Sequence, residues 1–174
     1  MKKITIMRMA AGAAGAIVAL SGISAHATEA KKPKLDHVQI PKMYGSGQLC
    51  LSMNNSTKNG AQLIAQRCNG SQTQKWTFKY EYHGSYGYKI KNDKSGKCLT
   101  VKSGRAGAAI VQDTCPRYND QLFRWTAEDH KQKMANAYSR MALTVPTEKS
   151  GVKVVQQPLS GSRNKQQRFY LPAF

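Results

Sequence analysis

One pattern recurs three times along the 174-residue chain, and it limits the available folds more than any other feature. Residues 49–53 read LCLSM, 97–101 read KCLTV and 141–145 read MALTV. Twelve or thirteen residues after Cys50, Cys98 and Ala142 comes a short apolar pair: Leu63-Ile64, Ile110-Val111 and Val154-Val155. Twenty-six or twenty-seven residues after the same positions comes an aromatic: Trp76, Trp125 and Phe169. The copies are 48 and 44 residues apart. A period of about 20–50 residues marks a repeat architecture, in which one unit cannot bury its apolar face alone.

The cysteines follow the repeat. Cys50 and Cys98 occupy one position of copies one and two, and Cys68 and Cys115 another. In copy three both positions have changed together, to Ala142 and Leu159. Four cysteines allow three pairings. The joint loss favours Cys50–Cys68 and Cys98–Cys115, since losing one partner alone would orphan a thiol. Each bridge closes a loop worth roughly 3 kcal/mol on the chain-entropy model. Zinc would need closely spaced ligand pairs, and the cysteines have none.

Local patterning is all-β. In WTFKYEY (76–82) Trp76, Phe78, Tyr80 and Tyr82 alternate on one face, and after a His83-Gly84-Ser85 turn Tyr86, Tyr88 and Ile90 alternate again. Two period-2 runs around a glycine-containing turn predict a hairpin. Asn59-Gly60, Asn69-Gly70 and Ser103-Gly104 punctuate further strands. Only residues 127–140 resemble a helix, and their apolar spacing is poor. Three β-repeats must share one core, and closing their sheet removes its edges.

The N-terminus reads differently. Lys2, Lys3 and Arg8 precede a small apolar run over 9–23 and an A-x-A site at Ala25-His26-Ala27, the order of a secretory leader cleaved after Ala27. Residues 28–37 read as a basic, proline-containing linker, and the folded domain is expected over 38–174. The expected location is secreted or periplasmic, with paired cysteines and no membrane-spanning segment after cleavage. Lys and Arg number 27 against 9 Asp and Glu, a net charge of +18, and cleavage would remove Lys2, Lys3 and Arg8 and leave +15, which favours acidic partners.

The offsets, the C-L-T opening and the closing Gln74-Lys75-Trp76 resemble the ricin B-chain family of β-trefoil lectins. Copy three closes with the variant Gln167-Arg168-Phe169, and copy two more loosely, with Gln121 four residues before Trp125. The resemblance implies a threefold barrel with a hairpin cap that binds glycans without catalysis or cofactor. Within the family, residues 93–100 (DKSGKCLT) and 121–125 resemble the binding subunits of cytolethal distending toxins.

A family sugar pocket would place a carboxylate two residues after the first cysteine, where Ser52, Thr100 and Thr144 stand. It would place a stacking aromatic two before the second, where Gln66, Asp113 and Gln157 stand. The Asn before the closing Gln maps to Thr73, Leu122 and Gln166. All three pockets depart from the pattern, and Gln74, Gln121 and Gln167, with Trp76, Trp125 and Phe169, read as structural closures. Two other surfaces become candidates. One is the hairpin bearing Tyr80, Tyr82, Tyr86 and Tyr88, which either pack on each other or form a contact patch. The other is basic: Lys149, Lys153, Arg163, Lys165 and Arg168 in copy three, and Lys89, Lys91, Lys94 and Lys97 before copy two. The expected partners are a cell-surface glycan or other anionic surface, with partner toxin subunits on the closer resemblance. Export and the lack of a nucleic-acid motif argue against RNA or DNA. His37, His83 and His130 are isolated, and no catalytic triad, metal pair or phosphate loop is visible. A stand-alone lectin-like adhesin and a trefoil inhibitor of a secreted hydrolase are the alternatives.

Overall fold

A computed structural model describes residues 35–42, 48–82, 84–115, 119–128, 131–161 and 164–170. The expected leader, most of the linker and Arg163 lie outside them. The first repeat holds β1 (Leu35–Gln39), β2 (Leu49–Ser52), β3 (Ile64–Arg67) and β4 (Lys75–Tyr82). The second holds β5 (Tyr86–Asn92), β6 (Cys98–Val101), β7 (Ile110–Asp113) and β8 (Phe123–Glu128). The third holds β9 (Lys131–Asn136), β10 (Ala142–Thr144), β11 (Val152–Lys153), β12 (Val155–Gln157) and a closing segment at Phe169. Strand begins at Leu35, which is buried, three residues ahead of the expected domain start. The stretch 127–140, the one helix-like candidate, contributes instead to the β8–β9 hairpin, paired from Phe123↔Asn136 to Glu128↔Lys131.

First and fourth strands of each repeat form a barrel in the order β1-β4-β5-β8-β9, every pairing antiparallel. Phe169 closes it, bridging Gln132 on β9 and Lys42 just after β1. Three hairpins, β2–β3, β6–β7 and β10–β12, cap one end, and the short β11 pairs with β3 of the first repeat. The caps are locked around a common axis by a ring of backbone bonds. Leu63 N–H donates to Ile110 C=O (2.9 Å), Ile110 N–H to Val154 C=O (3.3 Å) and Val154 N–H to Leu63 C=O (2.9 Å). These residues come from the three apolar pairs of the repeat, and all three side chains are fully buried.

The centre of the core is made of threefold sets: Leu51/Leu99/Leu143, Met53/Val101/Val145, Ile40/Ile90/Met134, Trp76/Phe123/Phe169 and the Leu63/Ile110/Val154 ring. Every member is at most 2% exposed. Each copy thus supplies one third of every layer, which is why none can fold alone. The aromatic layer corrects one reading of copy two. Phe123, not Trp125, closes that repeat: Phe123 pairs with Asn136 as Trp76 pairs with Asn92, while Trp125 sits two residues on and packs on Phe78 at 5.5 Å. The disulfides are Cys50–Cys68 and Cys98–Cys115, as expected. Ala142 pairs with Gln157 in the register that Cys50 and Cys98 keep with Gln66 and Asp113, so Ala142 and Leu159 stand where the third bridge would be.

Candidate functional site

The closing glutamines are absorbed by the scaffold. Each ends a short 3₁₀ turn, at Gln72–Gln74, Asn119–Gln121 and Lys165–Gln167, and each is buried. Gln74 Nε2 donates to Arg67 C=O (2.8 Å), Gln121 Nε2 to Thr114 C=O (2.8 Å) and Gln167 Nε2 to Pro158 C=O (2.9 Å). The three carbonyls are equivalent, so each glutamine ties down the chain leaving its cap hairpin.

The turns also locate the family pockets, and in copy two they shift the alignment. The residue before the closing Gln is Asp120, not Leu122; Leu122 is fully buried inside. An open cleft of about 370 Å³ lies here, lined by Thr100, Lys102, Asp113, Thr114, Cys115, Asp120 and Gln121. Asp113 is engaged through both oxygens, and Asp120 through Oδ2 only, its Oδ1 having no partner among the described residues. Asp120 Oδ2 accepts from the Thr100 hydroxyl (3.0 Å), and its Oδ1 is buried away from solvent. Asp113 accepts from Lys102 Nζ and from Thr114 N–H (2.9 Å). The Lys102 hydrogen bond holds the Asp113 carboxyl below its ordinary range, against the opposing effect of partial burial. None of these seven lining residues is aromatic.

The other two pockets are filled by their own side chains. In copy one Ser52 Oγ receives Gln66 Nε2 (2.8 Å) and Asn54 N–H (3.1 Å). In copy three Thr144 Oγ1 donates to Ala142 C=O (3.1 Å) and receives Gln167 Nε2 (3.1 Å). Gln166, where the family Asn would be, turns to Pro146 C=O (2.7 Å). A galactose-type site needs a free acceptor for vicinal hydroxyls and an aromatic platform. The described residues of the copy-one and copy-three pockets offer neither, and the copy-two cleft offers only Asp120 Oδ1, a buried acceptor, with no ring among its seven lining residues.

The tyrosine hairpin does offer a platform. Cross-strand pairs Tyr80↔Tyr88 and Tyr82↔Tyr86 put four rings on one face. They continue a ladder that starts in the core: Trp125 on Phe78 (5.5 Å), Phe78 on Tyr88 (6.3 Å), Tyr88 on Tyr80 (5.2 Å), Tyr80 stacked on Tyr86 (5.7 Å) and Tyr86 on Tyr82 (4.6 Å). Burial falls along it. Phe78 is 6% exposed, Tyr80 38%, Tyr86 58% and Tyr82 60%. The tyrosines therefore pack on one another and still present a surface. The opposite face balances its own charge, Glu81 bridging Lys79 and Lys89 at 3.0 Å each. Arg124 braces the tip from β8, donating to Tyr86 C=O (2.9 Å) and to the Ser85 hydroxyl.

The basic candidates divide. Lys153 on β11 and Lys165 in the third 3₁₀ turn are exposed, as are Lys91, Lys94 and Lys149. Lys89 and Arg168 are buried and belong to the scaffold rather than to a surface. Sequence reasoning missed Asp120, Phe123 and Arg124. The first two had a readable signal, the two-residue Gln-x-aromatic spacing of Gln121-Leu122-Phe123. Arg124 had none, because its role depends on β8 lying beside the hairpin.

The chain is similar in structure to several solved trefoils. A designed threefold-symmetric protein, ThreeFoil, matches at a TM-score of 0.70 and 26% identity, over 78% of this chain and 97% of its own. The cytolethal distending toxin of Haemophilus ducreyi matches at 0.61 and 17% identity, over 76% and 81%. The Rhizoctonia solani agglutinin matches at 0.66 and 15%, over 80% and 94%. A search of curated proteins by sequence finds no match. The profile of the ricin-type β-trefoil lectin domain matches residues 37–169, which span the barrel, its three caps and all three closing glutamines, and the chain belongs to that family.

Proposed function

We propose that the protein is an exported, non-catalytic carbohydrate-binding trefoil that attaches to cell-surface glycans through the tyrosine hairpin rather than through the family pockets. The carrying observation is the ladder that ends in Tyr82 and Tyr86, each more than half exposed yet held by its neighbours. Rings already ordered by packing give contact area to the apolar faces of sugars at little entropic cost, and their hydroxyls reach sugar hydroxyls. Lys153 and Lys165, with Arg163 beyond the described residues, add to a net charge that is +15 once the leader with Lys2, Lys3 and Arg8 is removed, and that speeds encounter with anionic cell surfaces.

Delivery of a toxin partner is the finer reading, supported by the likeness to the distending toxin. A stand-alone lectin is the second, supported by the likeness to the agglutinin. A nuclease gene beside this one, and co-elution of its product with this chain, would separate them in favour of delivery. The attachment site is tested by cell binding of wild type and Tyr82→Ala/Tyr86→Ala at about 50 and about 500 mM salt. The tyrosine pair should lose about tenfold or more at either salt, the scale of two interface hot spots. Wild-type binding by that variant would refute the hairpin as the site.

A further inference from the structure

Each cap hairpin of the trefoil turns through the same tripeptide pattern, a cation, any residue, then glycine: Lys58-Asn59-Gly60, Arg105-Ala106-Gly107 and Lys149-Ser150-Gly151. The three turns have one geometry. The glycines sit at φ +76°, +78° and +87°, where a side chain would be strained. Their N–H groups donate to the neighbouring repeat, Gly60 to Gln112 C=O, Gly107 to Gln156 C=O and Gly151 to Ala65 C=O, each at 2.8 Å. The cation's own carbonyl accepts the N–H three residues on, in Ala61 (3.4 Å), Ala108 (3.3 Å) and Val152 (3.3 Å). The turns are therefore fixed relative to one another around the axis of the caps, and all three cations are exposed. Lys153, one residue before the axial Val154, adds a fourth exposed cation near the axis.

Among the described residues, four acids are committed away from this face. Glu81 serves Lys79 and Lys89, Asp113 serves Lys102, Asp93 serves His37 and Thr77, and Asp120 serves Thr100. Glu148, next to Lys149 in sequence, lies 3.6 Å from the buried ammonium of Lys42. The structural bonds of a chain with so few carboxylates leave the cap cationic.

We infer that the capped end of the trefoil is a second binding surface, and that it takes a linear sulfated polysaccharide. Three cations on rigid turns suit a stiff chain bearing sulfates at intervals. The turns carry only small, polar or charged residues besides Pro146, so nothing on them would insert into a lipid layer. Among the described residues, Tyr138 is an exposed ring beside the second turn, its edge 3.8 Å from a Cβ placed on Gly104. A sugar face can stack there while its sulfates meet Arg105. A nucleic acid would call for a row of such rings. The surface lies at the opposite end of the barrel from the tyrosine hairpin, since β4 and β5 leave the caps at Lys75 and Asn92 and turn at the far end.

The probe is a heparin-derived decasaccharide, measured by calorimetry at about 150 mM salt. Three charge-matched or aromatic variants are compared with the wild-type full chain: Lys58→Ser/Arg105→Ser/Lys149→Ser on the cap, Lys75→Ser/Lys79→Ser/Lys91→Ser on the barrel wall, and Tyr82→Ala/Tyr86→Ala. Unchanged far-ultraviolet dichroism and melting temperature establish that each is folded. The cap variant should bind about tenfold more weakly, and its salt dependence should flatten by about two in the slope of log K against log salt. The barrel-wall variant should stay within about twofold. The tyrosine variant should keep heparin binding even where it loses cells, so this inference and the hairpin reading can fail separately. Equal losses in the two lysine variants, or none in the cap variant, would overturn the site. Tighter, cap-dependent binding to phosphatidylglycerol vesicles or to a single-stranded oligonucleotide would overturn the sulfated polysaccharide as occupant.

Discussion

Asn136 is the best single point at which to test how the repeats are knotted together. It is 1% exposed. Its Nδ2 donates to Asp120 C=O (2.8 Å) and Leu122 C=O (3.1 Å), and its Oδ1 accepts from Tyr138 N–H and Ser139 N–H, both at 3.0 Å. Four bonds at about 1 kcal/mol each would suggest a loss near 4 kcal/mol for Asn136→Ala. The structure lowers that figure. Leu122 C=O keeps Ala137 N–H (2.7 Å), Asp120 C=O keeps the Thr100 hydroxyl (3.5 Å), and the exposed turn at Tyr138 can hydrate its freed N–H groups. The expected cost is about 2–3 kcal/mol, a fall in melting temperature of about 4–12 °C.

Asn136→Asp separates this account from simple packing. It keeps the shape and the acceptor but turns a carboxylate oxygen onto two carbonyls, so at pH 7 it should be less stable than Asn136→Ala. Its folded pKa is then raised, so the penalty grows as pH rises above the ordinary carboxyl value and shrinks as pH falls toward about 4. Urea midpoints at about pH 4 and 7 measure both effects. An aspartate variant as stable as the alanine variant at pH 7 would refute the donor assignment.

Removing one disulfide through Cys98→Ala/Cys115→Ala should cost about 3 kcal/mol, as the 17-residue separation implies, read as a urea midpoint shift without change of slope. Simple galactosides should bind with dissociation constants of about 1 mM or weaker in calorimetry, because the Thr100–Asp120 and Lys102–Asp113 pairs occupy the copy-two cleft. Micromolar binding abolished by Thr100→Val would refute that. Asp113 is held low by Lys102, so the stability it confers is complete above the unfolded carboxyl value, about 4, and is lost as pH falls through the lower folded value. The difference in urea midpoint between wild type and Lys102→Met should accordingly be present at about pH 7 and nearly gone at about pH 2.

The fold was legible because its core is written three times. Leu51, Leu99 and Leu143 sit at one offset in the sequence and in one layer of the barrel, and the joint loss of Cys50 and Cys68 equivalents in copy three foretold both bridges. The error at Trp125 arose from the same regularity. Its offset matches Trp76 and Phe169 more closely than that of Phe123, but register follows the buried asparagine opposite, and Asn136 faces Phe123. The tyrosine face was readable from period 2, whereas its gradient of exposure was not, since that depends on Phe78 and Trp125 anchoring one end. The division among lysines was hidden for a related reason. Lys89 is buried only because Glu81 lies across the hairpin from it, and no linear pattern distinguishes it from exposed Lys91.

A threefold scaffold constrains where binding can arise. Any feature written once per repeat appears around the axis, and any feature written once in the chain appears on one side. The cations of the cap belong to the first kind and the tyrosine hairpin to the second, and the barrel separates them. Distant sites without shared partners act additively within about 0.3–0.5 kcal/mol. On cells displaying both neutral and sulfated glycans, the binding free-energy losses of Tyr82→Ala/Tyr86→Ala and Lys58→Ser/Arg105→Ser/Lys149→Ser should therefore sum in the combined variant, with only the second loss falling as salt rises. A coupling well above about 0.5 kcal/mol would mean that one bound chain touches both ends, and the two surfaces would then have to be treated as a single site.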